Sequence, residues 1–507
     1  MQSDYPDEEI SVAHLCLLLH HVMQSIKTRG DGESMTSKHE ADTEVRRAIQ
    51  EILCVHDHEL STQAIQQLSL FGEIPSFDSP HKLTVAAASA IGAYALSVES
   101  WWAHVKGERQ RVGIDWMQAA SALNPGQFMK QNGKALPAMA MMAELRNDFY
   151  QTKDSRWFFP VGPYPHLRDG VLELMDCANT PEALSRAFAK HNAEDLEQAF
   201  ASQKLPGAYA RTRQEWMDHS QGAWLATTPL IQIEKLADGP PESLSVGSRP
   251  LDHLRVLDLG HVIAGPVVAR SLAEHGAQVL RLDPPLKQDP LRQTIDTNIG
   301  KRTAFIDLND PVDQAKARQL MATADVVVQS WRHASLARRG FGPHEAAALR
   351  PGIVYVSVSA FGDEGPWAER GGFEQLGQTV SGLAINEGLD GRPSLVPTYL
   401  LNDYLTGYLG ATGAMLALLR RAKEGGSYHV KVCLTRTSMW IQGLGLQTRD
   451  ASLRGGHFAQ TLNPVLERRM SAFGELEQLP PVAQFSRTPA RWDLPPSPNG
   501  ASLARWT

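Results

Sequence analysis

"LRVLDLGHVIAGPVVARSLAEHGAQVLRLDPP", residues 254–285, decides the fold of this chain. A short apolar run leads into an Ala-Gly-Pro turn, a segment at helical spacing follows, and a second apolar run closes the unit. Pro266 marks the helix start and Gly276 stands just past its end, the usual punctuation of a helix. Strands this continuously apolar are those buried on both faces of a parallel sheet. The pattern recurs downstream in "RTAFIDL" (302–308), "DVVVQSW" (325–331) and "IVYVSVSAF" (353–361), with helical "PVDQAKARQLMATA" (311–324) between. Strands alternating with helices predict βαβ units and an α/β fold with a parallel sheet and flanking helices.

Working outward, residues 1–235 read as mostly helical, as in "AHLCLLLHHVMQSI" and "VRRAIQEIL". The Gly/Pro/Ser-rich 236–252 reads as a linker. Residues 253–445 form the α/β domain, and 446–507 an irregular C-terminal arm. One internal repeat relates 97–121 to 416–438 at an offset of 318 residues. The first copy has Val85 where the second has Asp403.

Over 507 residues the formal net charge is −7 and the pI near 6.2, so no basic footprint for nucleic acid is present. No apolar run suggests a membrane span. The acidic start, "MQSDYPDEEI", is unlike a signal or transit peptide, and four scattered cysteines fit reduced thiols, so a cytoplasmic protein is expected. "CVHDH" (54–58) has metal-binding residue types but no second cluster to complete a site, so no metal is expected.

Three segments could carry chemistry. The "HVIAGP" turn puts free backbone N–H groups of a helix start at the carboxyl edge of the sheet, where anionic ligands bind. A glycine-rich stretch, 357–382, follows the fifth strand and contains Glu374. Asp403 stands at the head of an Ala/Gly/Leu helix, in "YLLNDYLTGYLGATGAMLALL" (399–419). Spacing alone makes Asp403 a helix cap, with Asn402 beside it to share that duty. A carboxylate desolvated at such a junction would also be a nucleophile.

In order along the chain, "HVIAGP", "HGAQVLRLDPP", "GKRTAFIDLND", "ADVVVQSWRHASLARRGFG", "YVSVSAFGDEGPW", "GGFEQLGQTVSG" and "NDYLTGYLGATGAMLALLRRAKEGGSYHVKV" resemble the family III CoA-transferases, over about residues 250–440. The N-terminal half is also similar to a two-copy subfamily in which a degenerate copy precedes the catalytic one. The resemblance implies a Rossmann-like, CoA-binding domain in an interlocked homodimer, with acyl-CoA and a carboxylic acid as substrates and no tightly bound cofactor. It assigns Asp403 as the nucleophile, forming an aspartyl anhydride and then an aspartyl-CoA thioester, with Glu374 assisting. CoA contacts are implied at Val262, Ile263 and Ala264, at Ile306 and Asn309, at Ser330, Trp331, Arg338 and Arg339, and at Gly371, Gly372 and Phe373. Guanidinium forks at Arg338 and Arg339 suit the phosphates of CoA.

The chain departs from the family pattern in lacking the downstream glycine quartet of several members and in having Ile263 where some carry a polar residue. Two alternatives remain: an α-methylacyl-CoA racemase-like enzyme and a catalytically silent CoA-binding scaffold. Racemisation needs two acid/base groups, and the histidine of that branch is replaced here by Phe373, which carries no proton.

Overall fold

The computed structural model describes residues 38–54, 58–136, 148–162, 164–242, 247–286 and 289–507. "AHLCLLLHHVMQSI", Cys16 and most of "CVHDH" lie outside them, whereas "VRRAIQEIL" falls in helix α1 (Lys38–Cys54). The N-terminal half continues through strand β1 (Leu68–Phe71), helix α2 (Leu83–Lys106) and strand β2 (Val112–Asp115), and then through short helices and strands.

A seven-stranded sheet dominates the rest. Its strands are β3 (Gln232–Ala237), β4 (Arg255–Leu259), β5 (Gln278–Asp283), β6 (Lys301–Phe305), β7 (Val326–Gln329), β8 (Val354–Ser359) and β9 (Ser427–Cys433), in the order β6-β5-β4-β7-β8-β9-β3. All neighbours run parallel except β3, which pairs antiparallel with β9. Val256 of β4 lies opposite both Val279 and Val326. Alternate residues feed the two faces. Val256, Val326, Val354 and Val430 enter a large core that includes α2, while Leu257, Leu280, Val327 and Tyr355 enter a second core on the other side. Strand order reverses between β4 and β7, the switch point at which doubly wound sheets bind ligands.

Helix α3 (Ala264–Ala273) follows β4, helix α4 (Leu291–Asn298) follows β5, and helix α5 (Glu374–Ser381) precedes helix α6 (Asn402–Glu424). Pro266 is the third residue of α3 rather than its first. It stays within the first turn, where the missing N–H costs nothing. Helix α6 ends at Gly425, with φ +67°, and runs into β9 and helix α7 (Leu434–Gly443). The offset of 318 residues relates Lys106 to Glu424, Asp115 to Cys433 and Trp116 to Leu434, so α2 and β2 end where α6 and β9 end.

Strand pairings cross the expected boundaries. Strand β3 straddles residue 236 and is an edge of the main sheet. The C-terminal arm is not irregular. Gly474–Gln478 pairs with Lys130–Gln131, and β10 (Ala483–Phe485) pairs with β2, so the arm is built into the N-terminal half. Helix α2 is long and apolar enough to cross a membrane by length and composition, contrary to the expectation of no such segment. Its apolar window is entirely buried within the protein, where it packs against α6.

Candidate active site

The first helical residues of α6 carry the site. Leu401 is the N-cap and makes no side-chain cap bond, so Asp403 is the second helical residue and does not cap its own helix. The capping acceptor comes from elsewhere: the Asp403 N–H donates to Glu374 Oε2 at 2.5 Å, across 29 residues of sequence. Glu374 is the first residue of α5 and 1% exposed. Its other oxygen accepts from Gln378 Nε2 at 2.6 Å, and Gln378 Oε1 accepts the Val396 N–H at 3.0 Å. Glu374 is thereby tied on both oxygens. Asp403 is 6% exposed, and among the described residues no hydrogen-bond donor reaches its carboxylate.

Both carboxyls are held well above the usual carboxylate range. For Glu374 burial is the cause, opposed by the hydrogen bonds from Gln378 and from the backbone of Asn402 and Asp403. For Asp403 burial comes first and the charge of Glu374 second. Two close carboxyls, one saturated with donors and one bare, are suited to different roles.

The small residues of α6 serve packing. A Cβ on Gly407 would stand 2.5 Å from Val267 Cγ1 and 3.1 Å from the Ala264 carbonyl oxygen, and one on Gly410 2.7 Å from Val268. Close approach of α6 to α3 therefore sets Asp403 beside the turn after β4. In that turn Val262 adopts φ +64°, a conformation costly for a β-branched residue. Its N–H donates to Asp289 Oδ2 at 2.9 Å. Val262, Ile263, Val267, Tyr399, Leu400 and Tyr404 form one apolar cluster next to Asp403. Ser330 clasps the turn from β7, accepting the His261 N–H at 2.9 Å and donating to the His261 carbonyl at 3.0 Å.

The remaining sequence-predicted residues divide. Trp331 donates from Nε1 to the Leu259 carbonyl at 2.6 Å, and its ring lies 4.3 Å from that of His261. Arg339 reaches Asn309 Oδ1 at 3.4 Å, which brings the segments after β6 and β7 together at the surface. Arg338 is exposed. The side chain of Ile306 is buried in the core with Leu282 and Leu320. Ala264 is buried in α3. Gly371 and Gly372 pack tightly, since a Cβ on each would fall 2.9 Å from the Arg332 guanidinium and 2.5 Å from Ala360 Cβ. Phe373 is the N-cap of α5 and sits next to Glu374.

Sequence reasoning passed over Asp258, Arg281, Asp289 and Lys301. Lys301 Nζ lies 2.7 Å from Asp258 Oδ2, with both side chains fully buried, and burial pushes the lysine down to about 8. Arg281 donates to Asp283, Thr297, Asn298 and Asp289. For Asp258, Arg281 and Lys301 the available signal was a charge inside a buried strand, since each such charge needs a partner; Asp289, between β5 and α4, carried no such signal.

Two cavities open elsewhere. One of about 290 Å³, at the carboxyl ends of β7, β8 and β9, takes in Trp331, Ser357, Lys431 and Arg436. One of about 650 Å³ lies between the halves, lined by Phe77, Phe149, Tyr399 and Arg449 among others. Neither is lined by Asp403 or Glu374. Among the described residues no cluster of His, Cys, Asp or Glu could hold a metal ion.

A family model described as CoA-transferase family III matches residues 251–465. An acyl-CoA transferase of Gibberella moniliformis is 34% identical over 272 residues, 51% of this chain and 48% of that one. The acetyl-coenzyme A transferase nodX of Hypoxylon pulicicidum is 30% identical over 326 residues, 60% of this chain and 55% of that one. A succinyl-CoA–D-citramalate CoA-transferase of Chloroflexus aurantiacus is 34% identical over 189 residues, 35% of this chain and 47% of that one. The chain spans about half the length of the curated relatives it matches. The matched segment holds the switch-point turn, the glycine-rich loop with Glu374, and Asp403. Residues 251–465 are thus similar to CoA-transferase family III and to curated CoA-transferases.

Proposed function

We propose that this protein is a CoA-transferase that moves CoA from an acyl-CoA to a carboxylic acid, with Asp403 as nucleophile. The observation that carries the reading is the pairing of two buried carboxyls at the head of α6, Glu374 tied by donors and Asp403 bare. A carboxylate stripped of water and of hydrogen-bond donors is a stronger nucleophile than a solvated one, and the dipole at the N-terminus of α6 favours its ionised form.

Asp403 attacks the thioester carbonyl. A C–O bond forms, the C–S bond breaks, and CoA leaves as a thiolate with an acyl-aspartyl anhydride behind it. The thiolate returns to the aspartyl carbonyl, expels the donor acid as its carboxylate, and leaves an aspartyl-CoA thioester. The acceptor carboxylate then attacks that thioester and regenerates the thiolate beside a second anhydride. Attack of the thiolate on the acceptor's acyl carbonyl releases the new acyl-CoA and free Asp403. Every step exchanges one acyl bond for another, so neither an oxidant nor a metal is required.

Glu374 holds the Asp403 amide and so fixes the head of α6. The strained turn at Val262 and Ile263 offers the apolar wall for the pantetheine arm. Arg338, Arg339 and Asn309 form the polar surface for the phosphates. Incubation of the protein with an acyl-CoA, followed by hydroxylamine and mass analysis of the Asp403 peptide, tests the mechanism. An adduct on Asp403 that hydroxylamine removes is expected. No adduct across a broad panel of acyl-CoAs, with CoA binding unchanged in Asp403→Asn, refutes it.

A further inference from the structure

Tyr164 belongs to the N-terminal half, far in sequence from the family segment, yet it stands at the Asp403 site. It is the N-cap of the helix Pro165–Met175, held in extended conformation by the proline that follows. Its hydroxyl donates to Asp289 Oδ1 at 3.0 Å. The other oxygen of Asp289 accepts the Val262 N–H at 2.9 Å and Arg281 Nη2 at 2.8 Å. His261 Nδ1 lies 3.8 Å from Oδ1. The Tyr164 ring is 6.1 Å from that of Phe373, the residue before Glu374. One side chain thus joins the switch-point turn, through Asp289, to the α5 segment that carries Glu374.

The environment agrees with that placement. Tyr164 is largely buried, and its phenol is held protonated by burial and by the neighbouring charges of Asp289 and Asp403. The Arg281 guanidinium beside it holds the Asp289 carboxyl below the usual carboxylate range despite its burial. The groups that face Asp289 are therefore Arg281, Tyr164 and the Val262 amide, which donate to its carboxylate, and His261, whose Nδ1 stands 3.8 Å from it. A left-handed valine persists only where its surroundings over-determine it, and Tyr164 supplies one of those determinants from the other half of the chain.

We infer that Tyr164 is a positioning residue for the transfer reaction, acting through Asp289 to hold the Val262–Ile263 turn against Asp403. The inference rests on the transferase reading. On this account the N-terminal half completes the site within the same chain. A hydrogen bond to a charged group carries enough energy for about a ten- to hundredfold effect.

The test uses the full chain and follows the rate at which Asp403 acquires the hydroxylamine-sensitive adduct, alongside the dissociation constant for free CoA and the melting temperature. Tyr164→Phe keeps the ring and its contact with Phe373 but removes the hydroxyl. It is expected to slow adduct formation about tenfold or more, with the melting temperature nearly unchanged. Asp289→Asn is expected to slow it as well. Tyr164→Phe added to Asp289→Asn should then cost little more, because the two act through one bond. Equal adduct rates for wild type and Tyr164→Phe overturn the inference, and so do fully multiplicative losses in the double variant. Should Asp289→Asn fail to fold, the Tyr164→Phe rate alone decides. Absence of any adduct in the wild type overturns the transferase reading itself, a separate outcome.

Discussion

Replacing Gly407 by alanine tests how the packing of α6 controls the chemistry of Asp403. Gly407 lies one helical turn after Asp403, and a Cβ there would fall 2.5 Å from Val267 Cγ1, 2.7 Å from Val267 Cβ and 3.1 Å from the Ala264 carbonyl oxygen. Carbon atoms rest at about 3.5–4.0 Å, so α6 and α3 must part by about 1 Å. Overpacking of this kind costs about 1–3 kcal/mol. Its effect on rate is larger, since a displacement of about 1 Å at a reacting group lowers rates about a hundredfold. Gly407→Ala should therefore fold, melt a few degrees lower, and form the Asp403 adduct about ten- to a hundredfold more slowly. Gly443, at the end of α7, is the control: a Cβ there meets nothing within 4 Å. Gly443→Ala should match wild type in both assays. An adduct rate for Gly407→Ala equal to that of Gly443→Ala would refute the claim that contact between α6 and α3 positions the nucleophile.

Three further outcomes are expected. Glu374→Gln removes the like charge that helps to hold the Asp403 carboxyl up, so the rising limb of a kcat/KM profile should move toward lower pH; a limb that stays or moves to higher pH contradicts the pairing. Lys301→Met leaves Asp258 buried without its cation and should destabilise by about 3–5 kcal/mol in urea unfolding, while adding Asp258→Asn should recover part of the loss. His275 is buried against Tyr94 and Phe485 with neither ring nitrogen partnered among the described residues, and burial pushes it down to about 3. The unfolded chain takes up that proton near pH 6.5 and the folded one does not. Stability is therefore lost as pH falls from about 6.5 toward about 3, by up to about 4–5 kcal/mol. His275→Leu should flatten that acid limb in thermal melts.

The parallel sheet was legible because its strands alternate with helices at regular spacing and carry apolar residues on both faces. Asp403 was legible only as a candidate, since spacing cannot distinguish a residue that caps its own helix from one whose amide is capped by a distant side chain. The Glu374–Asp403 bond joins two helices, and nothing local in either marks the other. Tyr164 and Asp289 were hidden for the same reason: their roles exist only once the halves meet. Arg281 and Lys301 could have been noticed, as charges in strands with no room for water. The Gly/Pro/Ser-rich 236–252 overlaps the end of β3 and lies before β4, because composition marks a break between strands without telling whether the two belong to one sheet.

The packing of α2 on α6 has a consequence for how the chain can change over generations. Each helix is a wall against which the other is built, and the peptide chain between them fixes their ratio at one to one. A helix that only presents a surface is free of the chemical demand that the proposed role puts on Asp403. Buried Val85 need only fill volume with apolar atoms, whereas at Asp403 the proposed role leaves a single functional group that can serve.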